Sequence, residues 1–433
     1  MNNLKTLSKE LKDFLILWST QSLSALGSSM TSFALIIWSY QAQGSALTTA
    51  LLSICSYAPY VIMSIVAGAL SDKWNKKITM LVSDSFATLC TIIVLILLQT
   101  GRLEIWHLYC LNGLNGLMNT IQQPAADVTI SLLTPKKHYQ KVSGMRSFSN
   151  SLVSILTPVI ATAILTFINI QAVIIFDLVT FVIAFISLLC FVKIPKLKDD
   201  NVKKEPVLKS AKAGLKYLKN NRGILDLILF LAAINLTASI FSAALPPLIL
   251  SREGGGEVAL GVVNTVTGIS MLIGSVITSV MPAPKSRVRV ICNTLLLSMS
   301  TENFFLAFGR SVPIWCIGAI LGWIGIPIMN ANMDVIFRNY IPISMQGRVY
   351  SARNTLQFFT IPIGYFSGGI LVDKVFEPFM ASQPIGSFFS LVFGIGKGSG
   401  AAFLFFIIAI LGIATCLIFR KYSHIWELEK TEG

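Results

Sequence analysis

Three carboxylates stand inside long apolar stretches of this chain, at Asp84, Asp177 and Glu302. An ionised carboxylate is costly in apolar surroundings, so such a group either finds a hydrogen-bond donor or binds a proton. All three are therefore candidates for binding and releasing a proton, with Asp177 ranked first. Structural alternatives remain open: Asp84 could pair with a basic loop residue, and Asp177 could hydrogen-bond to the preceding apolar stretch.

A short charged segment at 68–77 reads Gly-Ala-Leu-Ser-Asp-Lys-Trp-Asn-Lys-Lys and joins two apolar stretches. One acid followed by three lysines can cap a helix and pair with its neighbours, holding one state of a moving helix bundle closed. Asp127 lies near the end of the fourth apolar stretch. We therefore expect Asp72, Lys76 and Asp127 to meet at one end of the bundle.

The composition indicates a membrane protein. Of the 433 residues, 54% are hydrophobic and only 12% are charged, and the mean hydropathy is +0.72. A soluble domain of this length does not combine so much apolar surface with so little charge. The hydrophobic runs are each long enough to cross about 30 Å of hydrocarbon. Twelve spans are predicted: 14–40, 47–70, 78–99, 105–130, 142–167, 170–192, 224–250, 259–281, 290–308, 312–333, 349–376 and 401–419.

The net charge of +14 would suggest a nucleic-acid partner in a soluble protein, but its distribution along the chain argues against one. If both termini are cytoplasmic, almost all of the 34 Lys and Arg residues lie on the cytoplasmic side of the membrane, as the positive-inside rule requires. The predicted outer cations are Arg102, Arg252, Arg310, Lys374 and Lys397.

An internal repeat divides the chain. Asp127, Pro135 and Arg146 recur 207 residues later as aspartate, proline and arginine, so two related six-helix halves are expected. The predicted division is 1–192, a cytoplasmic amphipathic linker at 193–222 that lies on the inner leaflet, and 223–433. The fold class is thus all-α, with twelve transmembrane helices in two pseudo-symmetric halves.

Amide side chains within the spans are candidates for lining a substrate cavity, because lipid would leave them unsatisfied. Interhelical packing is an equally good explanation for any one of them. The four candidates are Gln21, Asn115, Asn235 and Asn330. The cysteines form no C-x-x-C pair, so neither a metal site nor a cofactor is expected.

The charged segment resembles the loop of the major facilitator superfamily, G-x-L-x-D-[RK]-x-G-[RK]-[RK]. The matching residues are Gly68, Leu70, Asp72, Lys73, Lys76 and Lys77. Asn75 replaces the usual glycine, and we expect it to preserve the turn because asparagine tolerates the left-handed conformation.

The spacing of Trp18, Gln21, Ser24 and Gly27, followed by Gly44-Ser45, is similar to the branch of macrolide efflux proteins and enterobactin exporters. Two features depart from the family. Ser28 stands where many members have aspartate, and the fourth span lacks the arginine that the family links to proton coupling.

The resemblance implies a non-enzymatic secondary transporter of the cell membrane. It would export amphipathic, macrolide-like drugs by alternating access coupled to protons, acting as a monomer in the lipid bilayer. The alternative cargo is a siderophore or a peptide-like metabolite. A channel or a lipid scramblase would not explain the repeat together with the charged loop, and a sensor would need a soluble output domain.

Overall fold

The computed structural model describes residues 10–135, 138–194 and 207–429, and these are almost entirely helical. The chain forms two compact units. The first comprises Met1–Trp38 and Cys55–Lys204, and the second comprises Ser39–Ile54 and Glu205–Gly433. The junction of the first two helices is thus grouped with the second unit. The predicted division into halves at 192 and 223 stays a prediction.

The first six helices account for most of the first unit. They are α1 (Lys12–Gln43), α2 (Ala46–Lys73), α3 (Lys76–Gln99), α4 (Ile105–Leu133), α5 (Tyr139–Phe167) and α6 (Ile170–Ile186). A π-helical turn, Ser187–Phe191, continues α6. Apolar side chains of several helices form the core of this unit, among them Leu17, Met80 and Leu188.

The second unit contains the remaining helices. They are α7 (Val207–Asn220), α8 (Arg222–Ser251), α9 (Glu257–Val280), α10 (Arg287–Phe308), α11 (Val312–Trp323), α12 (Ile326–Tyr340), α13 (Ile343–Phe358), α14 (Thr360–Ile370), α15 (Glu377–Ala381), α16 (Phe388–Phe393), α17 (Ser399–Arg420) and α18 (Ser423–Glu427). A π-helical turn, Leu371–Phe376, joins α14 to α15. Apolar residues along α8 supply much of the core.

Eleven helical segments in the described part of the chain are long and apolar enough to cross a membrane. The fourth predicted span is not among them, although α4 has 29 residues. Its run of amides, including Asn112, Asn115 and Asn119, lowers its hydropathy. The expected count of twelve therefore depends on whether polar α4 also crosses the membrane.

Asn75 corrects one expectation. Its φ of −65° and ψ of 117° lie in the extended region, so the predicted left-handed turn is wrong. Asn75 is instead the N-cap of α3, where its side-chain oxygen accepts hydrogen bonds from the backbone N–H groups of Lys77 and Ile78 at 3.0 and 3.3 Å. An N-cap satisfies amides that have no partner within the helix.

The linker forms a helix, α7, as its periodicity predicts, but part of its apolar face packs on protein. Leu218 is buried in the core of the second unit, and the Tyr217 hydroxyl donates to the carbonyl of Tyr340 at 3.1 Å. Leu215, by contrast, remains exposed. Packing against other helices of the second unit therefore buries part of the apolar surface that the sequence predicts to face the lipid leaflet.

Candidate functional site

Asp84 on α3 joins three helices of the first unit. Its two carboxylate oxygens accept hydrogen bonds from the Gln21 amide of α1, at 3.2 Å, and from the Gln122 amide of α4, at 2.5 Å. The sequence suggested a basic loop residue as the partner of Asp84, whereas the observed donors are amides. Each amide leaves the negative charge in place, so the site is an acid held by neutral donors.

Two adjoining cavities, of about 420 and 530 Å³, lie among the helices of the first unit. Asp84, Asn119 and Gln122 line both of them. The walls mix amides and hydroxyls with aliphatic and aromatic side chains, a combination that suits a small amphipathic ligand.

Asn115 lines the larger cavity, and its Oδ1 atom is buried without a hydrogen-bond partner. A buried acceptor that lacks a donor carries a desolvation cost of about 1–3 kcal/mol. A donor on a bound molecule would remove that cost, so Asn115 is suited to bind one.

Asp177 on α6 lines the same cavity and is only 5% exposed. The Ser28 hydroxyl of α1 donates to its Oδ1 atom at 3.0 Å. The sequence allowed a bond to the preceding span instead, but the donor is on α1. Gly27 makes this approach possible, because a Cβ atom there would lie 2.8 Å from the Asp177 Cα.

The sequence candidates of the first unit thus come together. Gln21 lines the smaller cavity, Asn115 and Asp177 line the larger one, and Asp84 lines both. Trp18 lines the smaller cavity as well, and its indole N–H hydrogen-bonds to the Met145 carbonyl and the Ser149 hydroxyl, tying α1 to α5.

Lys77 of the charged segment contacts the end of α6. Its Nζ donates to the carbonyls of Leu189 and Val192 at 3.0 and 2.8 Å. A cation at a helix C-terminus satisfies free carbonyls and opposes the helix dipole. Lys76 is buried and donates to the Trp74 carbonyl at 3.3 Å. The structure does not describe the surroundings of four other residues of the motif, Gly68, Leu70, Asp72 and Lys73.

Asp127 pairs with Arg146, with 2.6 Å between Oδ1 and Nη2. This bond joins α4 to α5. Both side chains are almost half exposed, at 47% and 41%, so the pair contributes about 0–1 kcal/mol to stability. The sequence predicts that Asp127 meets Asp72 and Lys76, and it does not predict Arg146 as a partner. The signal available was that both residues belong to the 207-residue repeat.

In the second unit, Glu302 on α10 is 5% exposed and accepts a hydrogen bond from the Trp323 indole at 2.8 Å. The Asn235 amide donates to the Gln357 carbonyl at 3.0 Å, while Asn330 is exposed. These bonds join helices, as expected for interhelical packing.

No group of three or more His, Cys, Asp or Glu residues that could hold a metal occurs in the part of the chain that the structure describes.

Comparison with known proteins agrees with this architecture. The sequence profile of the Major Facilitator Superfamily matches residues 17–365. The chain belongs to this superfamily. It is therefore a multi-pass membrane transporter, and the resemblance seen in the charged segment is confirmed.

Two relatives from bacteria have similar lengths and low identity. Macrolide efflux protein A of Streptococcus pyogenes is 22% identical over 366 residues, covering 84% of this chain and 90% of the relative. The uncharacterized MFS-type transporter YfiS of Bacillus subtilis is 23% identical over 382 residues, covering 86% and 89%.

Solved structures share the fold at lower identity still. A mutant of the nucleoside transporter NupG has a TM-score of 0.70 and 13% identity, covering 95% of this chain and 99% of that one. A bacterial homologue of the iron transporter ferroportin has a TM-score of 0.69 and 14% identity, covering 95% and 98%. At such identities the likeness concerns the fold alone.

Proposed function

We propose that this protein exports amphipathic, macrolide-like molecules across the cell membrane by alternating access driven by protons. The observation that carries the proposal is Asp84, an acid held by two amides in the wall of two cavities. Both termini face the cytoplasm, as the charge distribution favours, and the transporter works as a monomer.

Proton binding at Asp84 alters the contacts between three helices. The ionised carboxylate accepts from both Gln21 and Gln122. Protonation turns one of the two carboxylate oxygens into a hydroxyl group. A hydroxyl oxygen is a poorer acceptor than a carboxylate oxygen, so the hydrogen bond from one of the two amides weakens. Protonation thereby loosens the link from α3 to either α1 or α4, and cargo binding in the same cavities is sensitive to that change.

Asp177 is the second proton acceptor. Its partner Ser28 can donate to the ionised acid and can also accept from the protonated acid. The pair therefore tolerates both protonation states without moving. Glu302, which is bonded to Trp323 between α10 and α11, is assigned a packing role.

The cargo class follows from the cavity walls together with the named relatives. Apolar side chains such as Leu17, Phe33 and Phe181 alternate with amides there. The runner-up is export of a siderophore or a peptide-like metabolite. The free Asn115 acceptor and its neighbouring amides favour it, because such cargo carries many hydrogen-bond donors.

The test measures accumulation of a lipophilic dye and a macrolide panel in energised inverted vesicles, with and without a proton uncoupler. The variants are Asp84→Asn, Asp177→Asn and Glu302→Gln, and the matched control is Glu427→Gln, which neutralises an exposed acid. We expect uncoupler-sensitive uptake in the native protein, the Glu302 variant and the control. Uptake should fall at least about tenfold in Asp84→Asn, because asparagine cannot bind a proton and tenfold lies within the usual range of coupling between two sites.

Three outcomes would count against parts of the proposal. Unchanged, uncoupler-sensitive uptake in both aspartate variants would remove these acids from coupling. Uptake by the native protein that is unchanged by the uncoupler would contradict the proposal that transport is coupled to protons. Absence of uptake for every drug, with uptake of a peptide-like siderophore, would make the runner-up the correct cargo.

A further inference from the structure

A cationic pocket of about 690 Å³ lies in the second unit, separate from the cavities described above. Its walls come from the loop after α8, the loop after α10 and the segment between α15 and α17. Arg252, Arg310 and Lys397 all line it. Because α8 and α10 run in the same direction and α17 runs back, these three cations lie at the end of the unit opposite Arg222, the first residue of α8.

This clustering departs from the rest of the sequence. Only five Lys and Arg residues are predicted to lie on this side of the membrane, and three of them share one pocket. Glu253 is the single acidic residue in the wall. The pocket thus has an excess of positive charge at the membrane face where cations are scarce.

Among the described residues, none of the ion pairs includes Arg252, Arg310 or Lys397. Arg252 donates instead to the carbonyls of Gly309 and Phe393, and Arg310 donates to that of Leu391. Burial and then the positive charge of Arg310 lower the pKa of Arg252 to about 10, while Glu377 acts in the opposite direction. The electrostatic balance at Arg252 therefore favours an added anion.

Large apolar side chains border the same pocket. Ile385, Leu391 and Ile395 line it and are 87%, 66% and 67% exposed. Single exposed aliphatic residues are ordinary, but three around one cationic pocket form a combined surface. Charge complementarity requires an anion, and the apolar border requires that the anion carry hydrocarbon.

We propose that this pocket binds the phosphate headgroup of an anionic phospholipid, with Arg310 and Lys397 contacting the phosphate and the apolar border contacting the acyl chains. Arg252 shapes the pocket through its bonds to two backbone carbonyls. Arginine and lysine are the usual ligands of lipid phosphates. The ligand is a lipid of the adjacent leaflet, and a free anion in solution is the competing occupant.

The experiment is native mass spectrometry of the full-length protein in detergent, titrated with phosphatidylglycerol or with phosphatidylcholine. The test variant is Arg310→Gln combined with Lys397→Gln, which leaves the buried bonds of Arg252 intact. The matched control is Lys374→Gln, an exposed cation that does not line the pocket. We expect the apparent affinity for phosphatidylglycerol to fall about tenfold or more in the double variant and to stay unchanged in the control.

Two results would overturn the proposal. Thermal unfolding first checks that the native protein and the double variant are both folded. Equal binding of phosphatidylglycerol by the two proteins would then show that the pocket does not hold the lipid. Equally tight binding of glycerol phosphate or inorganic phosphate would show that the acyl chains contribute nothing, so the occupant would be a soluble anion. Neither result would bear on drug export, which is measured separately.

Discussion

At the scale of single residues, Gly27 controls how closely α1 approaches α6. An added Cβ would meet the Thr180 hydroxyl and would lie 3.0 Å from the Asp177 Oδ1 atom. The contact that brings Ser28 to Asp177 therefore depends on the missing side chain. Small residues serve this purpose widely between membrane helices, because they let backbones approach.

We predict that Gly27→Ala lowers stability. Overpacking costs about 1–3 kcal/mol, which exceeds the gain of about 0.5–1 kcal/mol from replacing a helical glycine by alanine. Gly113→Ala on α4 is the matched control, because its nearest atom would be the Cys55 carbonyl oxygen at 3.9 Å. The apparent Tm in detergent should fall for Gly27→Ala and stay level or rise for Gly113→Ala. A shared rise in Tm would contradict the steric argument.

Residue chemistry was only partly predictable from the sequence. The sequence predicts a special environment for Asp84 and Asp177, because an acid in an apolar run needs a hydrogen-bond donor or a proton. Their donors could not be read off, because Gln21, Gln122 and Ser28 are distant in sequence and meet Asp84 or Asp177 only through helix packing. Arg146 was missed for the same reason, since its contact with Asp127 depends on how α4 and α5 cross.

At the scale of elements, Asn75 caps α3, so this helix begins inside the charged segment and includes its last two lysines. Its side-chain oxygen accepts from two backbone N–H groups of the first turn. Most other helix ends could be approximated from hydropathy, because apolar runs give way to polar or glycine-containing loops. The capping geometry at Asn75 could not, since family comparison pointed to glycine and a positive φ.

We predict that Asn75→Ala destabilises the protein by about 1 kcal/mol, the usual cost of losing an N-cap side chain. Asn75→Asp keeps the acceptor and should be nearly neutral. Asn75→Gly restores the family pattern and should cost only a few tenths of a kcal/mol, roughly what glycine costs at this position in other helices. Thermal unfolding of the three variants in one detergent decides the matter. If alanine and aspartate behave alike, the cap does not contribute.

Close helix contacts in the second unit also depend on glycines that lack a side chain, as at Gly27. Gly318 and Gly322 on α11 face α10, where an added Cβ would lie 2.6 Å from that of Phe305 and 2.7 Å from that of Glu302. The four-residue spacing of the two glycines is typical of a close contact between membrane helices. It did not identify the partner helix, because spacing within one helix carries no information on its neighbour.

At the scale of the whole molecule, residues 425–429 contribute to the packing of the second unit. Ile425 and Leu428 are buried in its core. The Glu429 carboxylate accepts from the Ser286 hydroxyl at 2.5 Å and from the backbone N–H of Val288 at 3.0 Å. A negative charge at this position stabilises α10, because it lies at the positive, N-terminal end of the helix dipole. Hydropathy identified α17 but gave no sign that the polar tail after it is structural.

We therefore predict that deleting residues 422–433 strongly destabilises the protein. Each buried aliphatic side chain that is lost removes about 1.5–3 kcal/mol, and the cap of α10 is lost as well. Deleting only residues 430–433 keeps Glu429 and is the matched control. Size-exclusion chromatography after a heating series should show early aggregation for the longer deletion alone. Equal survival of the two proteins would mean that the tail is dispensable.

The tail also bears on how the two halves of the repeat have diverged. In the first half, the charged segment keeps the family pattern from Gly68 to Lys77, whereas the corresponding loop at 282–289 has lost the glycine and the aspartate. In the second half an acid from outside the loop, Glu429, accepts from the backbone N–H of Val288 at the start of α10. The starts of α3 and α10 are thus stabilised in different ways. Asn75 caps α3 from within its own loop, whereas α10 uses Ser286 of its loop together with the distant Glu429.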